Sequence, residues 1–155
     1  MRLAVCVVLT VLATSSVLSA QAPSKSPADS PACSYLTKED AAAALGEAIT
    51  KGPMATSMGK GQPSSCDYEG SGLHHVQLNV MPFDAATAGV YKAMCLKKTR
   101  DGLTGLGDVA CWYNDKHGEL QVLKGMTMFS IEMRKSGDPT ESIKAVARKV
   151  YERVK

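Results

Sequence analysis

The sequence predicts an α+β fold: one two-layer domain in which an antiparallel five-stranded sheet carries its helices on one face, in the order α-β-β-α-β-β-β-α. Three observations carry this expectation. Residues 73–81 alternate apolar and polar side chains, the period of a half-buried strand. Two turns, Asp115-Lys116-His117-Gly118 and Gly125, divide residues 109–134 into three short apolar runs that read as consecutive hairpins. Residues 138–154 place Ile143, Val146, Ala147, Val150 and Val154 on one stripe at helical spacing.

The chain begins with Met1 and Arg2, then an apolar run from Leu3 to Leu12 broken only by Thr10, then small residues to Ala20. This is the outline of a secretory signal peptide, residues 1–20, with cleavage expected after Ala20. The competing reading, a retained anchor, wants about 20 apolar residues, and this run is shorter. No stable membrane insertion is expected after cleavage. Residues 21–32, QAPSKSPADSPA, lack any large apolar side chain and read as a disordered linker. A single domain is expected over 33–155.

Cysteine usage agrees with export to the periplasm or beyond. The chain has five cysteines, and Cys6 leaves with the leader. Cys33, Cys66, Cys95 and Cys111 remain, an even set suited to an oxidising compartment. Four cysteines allow three pairings. Cys33–Cys66 with Cys95–Cys111 is favoured, because each bond would tie a helical segment to the strand after it. A four-thiolate zinc site is the rival, but no CxxC pair is present. Loss of Arg2 takes the net charge from +3 to +2, which makes no case for nucleic acid.

The first helix opens at Thr37, with Asp40 placed to face the positive end of the helix dipole, and Gly46 can end it. Residues 51–63 hold Gly52, Pro53, Gly59, Gly61 and Pro63 and read as a long loop. Residues 65–69 form the first strand. Residues 73–81 form the second, with His74, Val76, Leu78 and Val80 on one face and His75, Gln77, Asn79 and Met81 on the other. Asp84 caps a second helix to about Lys98, with Ala88, Tyr91, Met94 and Cys95 inward. Strands follow over 109–114, 119–124 and 126–134. Asp138-Pro139-Thr140-Glu141 starts the last helix with a cap, a proline and a carboxylate.

The stretch GLTGLGDVACWY, residues 102–113, invites comparison with a phosphate loop. The order argues against it: here a helix precedes the glycines and a strand follows, whereas a nucleotide fingerprint runs strand, glycines, helix. Asp108 would also repel phosphate. The glycines are therefore expected to let the chain reverse and pass close to its neighbours.

Several short motifs combine into a resemblance. They are Cys33-Ser-Tyr-Leu-Thr37, the alanine-rich helix ending in Leu45-Gly46, Cys66-Asp-Tyr68, and Gly105-Leu-Gly-Asp-Val-Ala110. Over most of residues 33–154 the chain resembles small exported, lipoprotein-type bacterial domains of unknown function. The cysteine that usually anchors that family to lipid has no counterpart here. The resemblance implies no catalytic residues.

Function must then be read from side chains. No Gly-x-Ser-x-Gly elbow is present, and paired cysteines leave no thiolate nucleophile. Asp67 and Glu69 share a strand face and would be the carboxylate pair of an unrecognised hydrolase. A periplasmic copper site is the second alternative, built from Met126, Met128 and His75 through soft thioethers and imidazole. The leading expectation is a non-enzymatic binding or interaction module that needs no cofactor. If Cys111 turns towards the helices to meet Cys95, Trp112 points the other way. It would then share an open sheet face with Met128, His75, Gln77 and Met81 as a ligand- or partner-binding surface. The rival is that Trp112 is covered by residues 51–63 or by a second copy. The partner would be a protein or an envelope component. Lys144, Arg148, Lys149, Arg153 and Lys155 on the last helix read as a solvated basic face.

Overall fold

The computed structural model describes residues 30–98, 103–114 and 116–155. The expected signal peptide, residues 21–29 of the expected linker, residues 99–102 and Asp115 lie outside them. The described residues form four helices, α1 (Pro31–Tyr35), α2 (Lys38–Leu45), α3 (Ala85–Cys95) and α4 (Thr140–Arg153), and six strands. These are β1 (Lys51–Ser57), β2 (Ser64–Glu69), β3 (His75–Pro82), β4 (Val109–Trp112), β5 (Glu119–Lys124) and β6 (Thr127–Arg134). The strands make one antiparallel sheet in the order β1-β2-β3-β6-β5-β4. The α+β class holds, and the sheet has six strands rather than five.

The extra strand is β1, which the sequence presents as a loop. Its Gly-Pro pair, which would disrupt a central strand, is tolerated because β1 lies at the sheet edge. The pairing with β2 is irregular between Lys51 and Met54. The end of the expected linker also belongs to the fold. Ser30 and Ala32 are buried, and the Ser30 hydroxyl donates to the carbonyls of Thr56 and Ser65.

Local chemistry sets the helix ends. Thr37 and Asp40 form a capping box at the start of α2, and Gly46 ends it at φ 76°. The Asp84 carboxylate accepts from the Thr87 N–H at 2.7 Å, as a cap should. Asp138 accepts from the Thr140 N–H and hydroxyl. Ile143, Val146, Ala147, Val150 and Val154 are all buried, as their spacing predicts.

The helices do not gather on one face. β3 and β4 stand on opposite sides of the β6–β5 pair, so the chain between them must cross the sheet. One face is filled by α1, α2 and α4 over Leu78, Phe129, Ile131, Leu120 and Val122. α3 takes the other face, over Val109, Cys111, Leu123 and Met128. β4 is therefore buried on both sides. Of the expected inward residues of α3, Ala88 and Cys95 are buried, but Met94 is 53% exposed.

The cysteines pair as Cys33–Cys66 and Cys95–Cys111. The first ties α1 to β2 and the second ties α3 to β4. The glycine loop turns the chain into β4: Gly107 lies at φ 69°, and a Cβ there would collide with the Leu123 carbonyl.

Because α3 rests on so small a cluster, its bond to β4 matters locally. Replacing Cys95 and Cys111 by alanine closes no loop and is expected to cost about 2 kcal/mol. Amide exchange over 85–95 should accelerate while α4 stays protected; equal protection of the two helices would contradict this division.

Candidate functional site

On the α3 side, strand register sorts the side chains into rows. His75 lies opposite Glu69 on one flank and Arg134 on the other, and Lys51 faces Glu69. The next row is Asp67, Gln77, Glu132 and Glu119. Then come Ser65, Asn79, Ser130 and Gln121. The last row, Met81, Met128, Leu123 and Val109, runs beneath or beside α3. The face thus grades from charged to amide and hydroxyl to apolar, and only its apolar end is covered by a helix.

The polar rows are partly bonded among themselves. The Lys51 ammonium meets Glu69 at 3.2 Å. Asn79 Nδ2 donates to Gln77 Oε1 at 3.4 Å, and Gln121 Nε2 donates to Glu119 Oε1 at 3.1 Å. The Tyr91 hydroxyl reaches down from α3 to Gln121 Oε1 at 3.1 Å. Burial, reinforced by Glu119, pushes the Tyr91 phenol well up, so it stays a neutral donor.

The acidic row carries unmet demand. Glu119 and Glu132 sit directly opposite each other, a like-charge pair that weakens the β5–β6 contact. His75 Nε2 is 3.9 Å from Glu132 Oε1. Asp67 Oδ1 is buried and has no hydrogen-bond partner among the described residues. Burial raises the Asp67 carboxyl above its ordinary value; His75 opposes this, and Glu69 and Glu132 reinforce it. Two clefts flank Arg134 at this end of the sheet. One of about 200 Å³ is lined by Asp67, Glu69, Leu73 and His75, and one of about 440 Å³ by Tyr113, Lys116, Glu119 and Glu132.

The structure brings His75, Gln77, Met81 and Met128 to one face, as strand alternation predicts. Met81 is 38% exposed, while Met128 is buried under α3. Trp112 is the correction. It does point away from Cys111, but that direction leads into the main core, where it is buried. His117 stacks on its ring at 4.6 Å. The expectation failed with its premise, since the helices that Cys111 was to meet lie on both faces. Neither the 51–63 segment nor a second copy is what covers it.

The copper set is not assembled either. Met81 pairs with Met128 and His75 with Arg134, so Met128 and His75 stand six residues apart along the ladder, about 20 Å. Met126 lies in the exposed turn after β5. Among the described residues no group of three or more His, Cys, Asp or Glu is placed to hold a metal ion. Asp67 and Glu69 do share a face and line the smaller cleft, with Glu69 engaged by Lys51.

Sequence reasoning missed Glu132 and Glu119. Both alternate with apolar neighbours and so are legible as face residues, but their opposition depends on register between strands. Comparison with known proteins finds no matching family model, curated protein or solved structure.

Proposed function

We propose that this chain is an exported, non-enzymatic binding module whose ligand surface is the open polar face of the sheet. Its two disulfides suit an oxidising compartment. The observation that carries the reading is the acidic row: Glu119 against Glu132, with the unpartnered oxygen of Asp67 two strands from Glu132. A row that repels itself in the free protein is relieved by a ligand that brings positive charge and hydrogen-bond donors. The ligand class is therefore one bearing ammonium or guanidinium groups, such as a basic peptide segment. Gln77 and Asn79 beside the row supply neutral acceptors and donors that fix its orientation.

The test is calorimetric titration with pentalysine, using pentaglutamate as counter-probe. Pentalysine should bind, and Asp67→Asn with Glu132→Gln should weaken it by about tenfold or more. Glu141→Gln on α4 should leave it unchanged. The double variant should not lose stability, since it removes like-charge repulsion. Failure of pentalysine to bind, or unchanged affinity in the double variant, would overturn the reading.

A further inference from the structure

Among the described residues, six of the eight large apolar side chains most exposed to solvent lie on α3 or beside it. Val90 and Met94, one turn apart on its outer side, are 62% and 53% exposed. Leu96 follows the helix. Met126 lies at the helix N-terminal end, where its carbonyl accepts the Phe83 N–H at 2.6 Å. Tyr113 lies at the other end, with the Lys98 ammonium 4.6 Å above its ring. Met81 completes the set beside the helix start. Val90 and Met94 form a short apolar ridge on α3, with Leu96, Tyr113, Met126 and Met81 around it, and the opposite side of the helix is held to the sheet through Ala88, Tyr91 and Cys95.

The ridge has a charge signature. Lys92, Lys97 and Lys98 are exposed along it, and no acidic residue occurs from Ala85 to Lys98. Lys92 and Lys97 have no ion-pair partner among the described residues. Three of the four basic residues of α4 differ, while Arg148 is exposed and has no ion pair among the described residues. Lys149 and Arg153 are held by Asp40, and Lys144 by Glu141. Free cations thus gather beside exposed apolar side chains on α3, on the side of the sheet away from α4.

An apolar ridge with a cationic border and no carboxylate matches a bilayer surface with anionic headgroups. We propose that α3 docks on such a surface, with Val90, Met94 and Leu96 entering the headgroup boundary and Lys92, Lys97 and Lys98 meeting the headgroup anions. This rests on different residues from the polar-face reading and stands or falls separately. The Cys95–Cys111 bond holds the helix to the domain while its outer side is engaged.

The experiment is co-sedimentation of the oxidised, leader-free protein with two kinds of vesicle, phosphatidylcholine alone and phosphatidylcholine with about one third phosphatidylglycerol. Val90→Asp with Met94→Asp, and Lys92→Glu with Lys97→Glu, are compared with the parent. All four side chains are exposed, and circular dichroism checks the fold. The parent should sediment with the anionic vesicles about tenfold better than with the neutral ones, and each double variant should lose this by a similar factor. Because the variants differ from the parent only between residues 90 and 97, the difference reads α3 and the turn that follows it. Parent-level sedimentation of V90D/M94D, or no preference for anionic vesicles, would overturn the proposal. So would a parent dimer that V90D/M94D dissociates without any change in lipid binding, since a second copy would then be the occupant.

Discussion

Replacing Trp112 with alanine lowers the stability of the protein by about 4 kcal/mol, a large share of what a domain of this size possesses. The ring is buried in the main core beside Leu120, its directly paired neighbour on β5. Truncation leaves a cavity that the disulfide-tied strand beside it cannot collapse to fill. Its Nε1–H has no acceptor among the described residues, so a Trp112→Phe variant removes a donor unpaired there and keeps most of the packing. That variant should cost no more than about 1 kcal/mol. Thermal unfolding decides: W112A should fall by roughly 10 °C or more and W112F by only a few degrees. Were Trp112 a surface recognition residue, W112A would unfold like the parent, and this placement would be wrong.

Replacing Asp40 with alanine is expected to cost about 3 kcal/mol, because one carboxylate serves three elements. It completes the capping box with Thr37, accepts Lys149 at 2.9 Å, and pairs with Arg153. Arg153 also donates to the Tyr35 carbonyl at 2.8 Å, so α1, α2 and α4 meet at this point. The cap alone is worth about 1 kcal/mol. Breaking a buried ion pair costs more, discounted here because both cations reach solvent and can rehydrate. Burial pushes the Asp40 carboxyl up, but the bonds from Arg153, Lys149 and Thr37 outweigh it and hold it well below its ordinary value of 3.8. A folded value lower than the unfolded one means the contribution is fully present above the unfolded value and is lost as pH falls towards the folded one. The parent should therefore lose stability below about pH 4, and Asp40→Asn should flatten that part of the profile. An unchanged acid limb in D40N would show that other carboxylates govern it.

The contrast between these two residues shows what the sequence carries. Asp40 is legible because Thr37 stands three residues before it, a local signal that needs no tertiary knowledge. The Ile143–Val154 stripe and the run Glu119–Lys124 are legible for the same reason. β1 was hidden because Gly52 and Pro53 punctuate it, and their tolerance depends on its being an edge, a property of the whole sheet. α1 was hidden because five residues of PACSY make no periodic signal; burial of Ala32 and the bond to Cys66 hold it. Trp112 was misplaced for want of one fact that the chain does hint at. Val109-Ala-Cys-Trp112 is apolar without alternation, the mark of a strand covered on both faces. The candidate face was half legible: alternation puts His75 and Gln77 together, but Glu132 joins them only through pairing between strands far apart in sequence.

The two rims of the sheet bear on how the protein behaves when crowded. An open antiparallel sheet ends in strands whose outer backbone groups can recruit another chain, and long flat rims seed fibrils. Here β1 presents a proline that has no N–H, an irregular register and a Lys51 charge, and Ser30 already occupies the Thr56 carbonyl. The opposite rim, β4, runs for four residues only. Neither rim is a good template for strand addition, which works against edge-to-edge zipping of one sheet onto another.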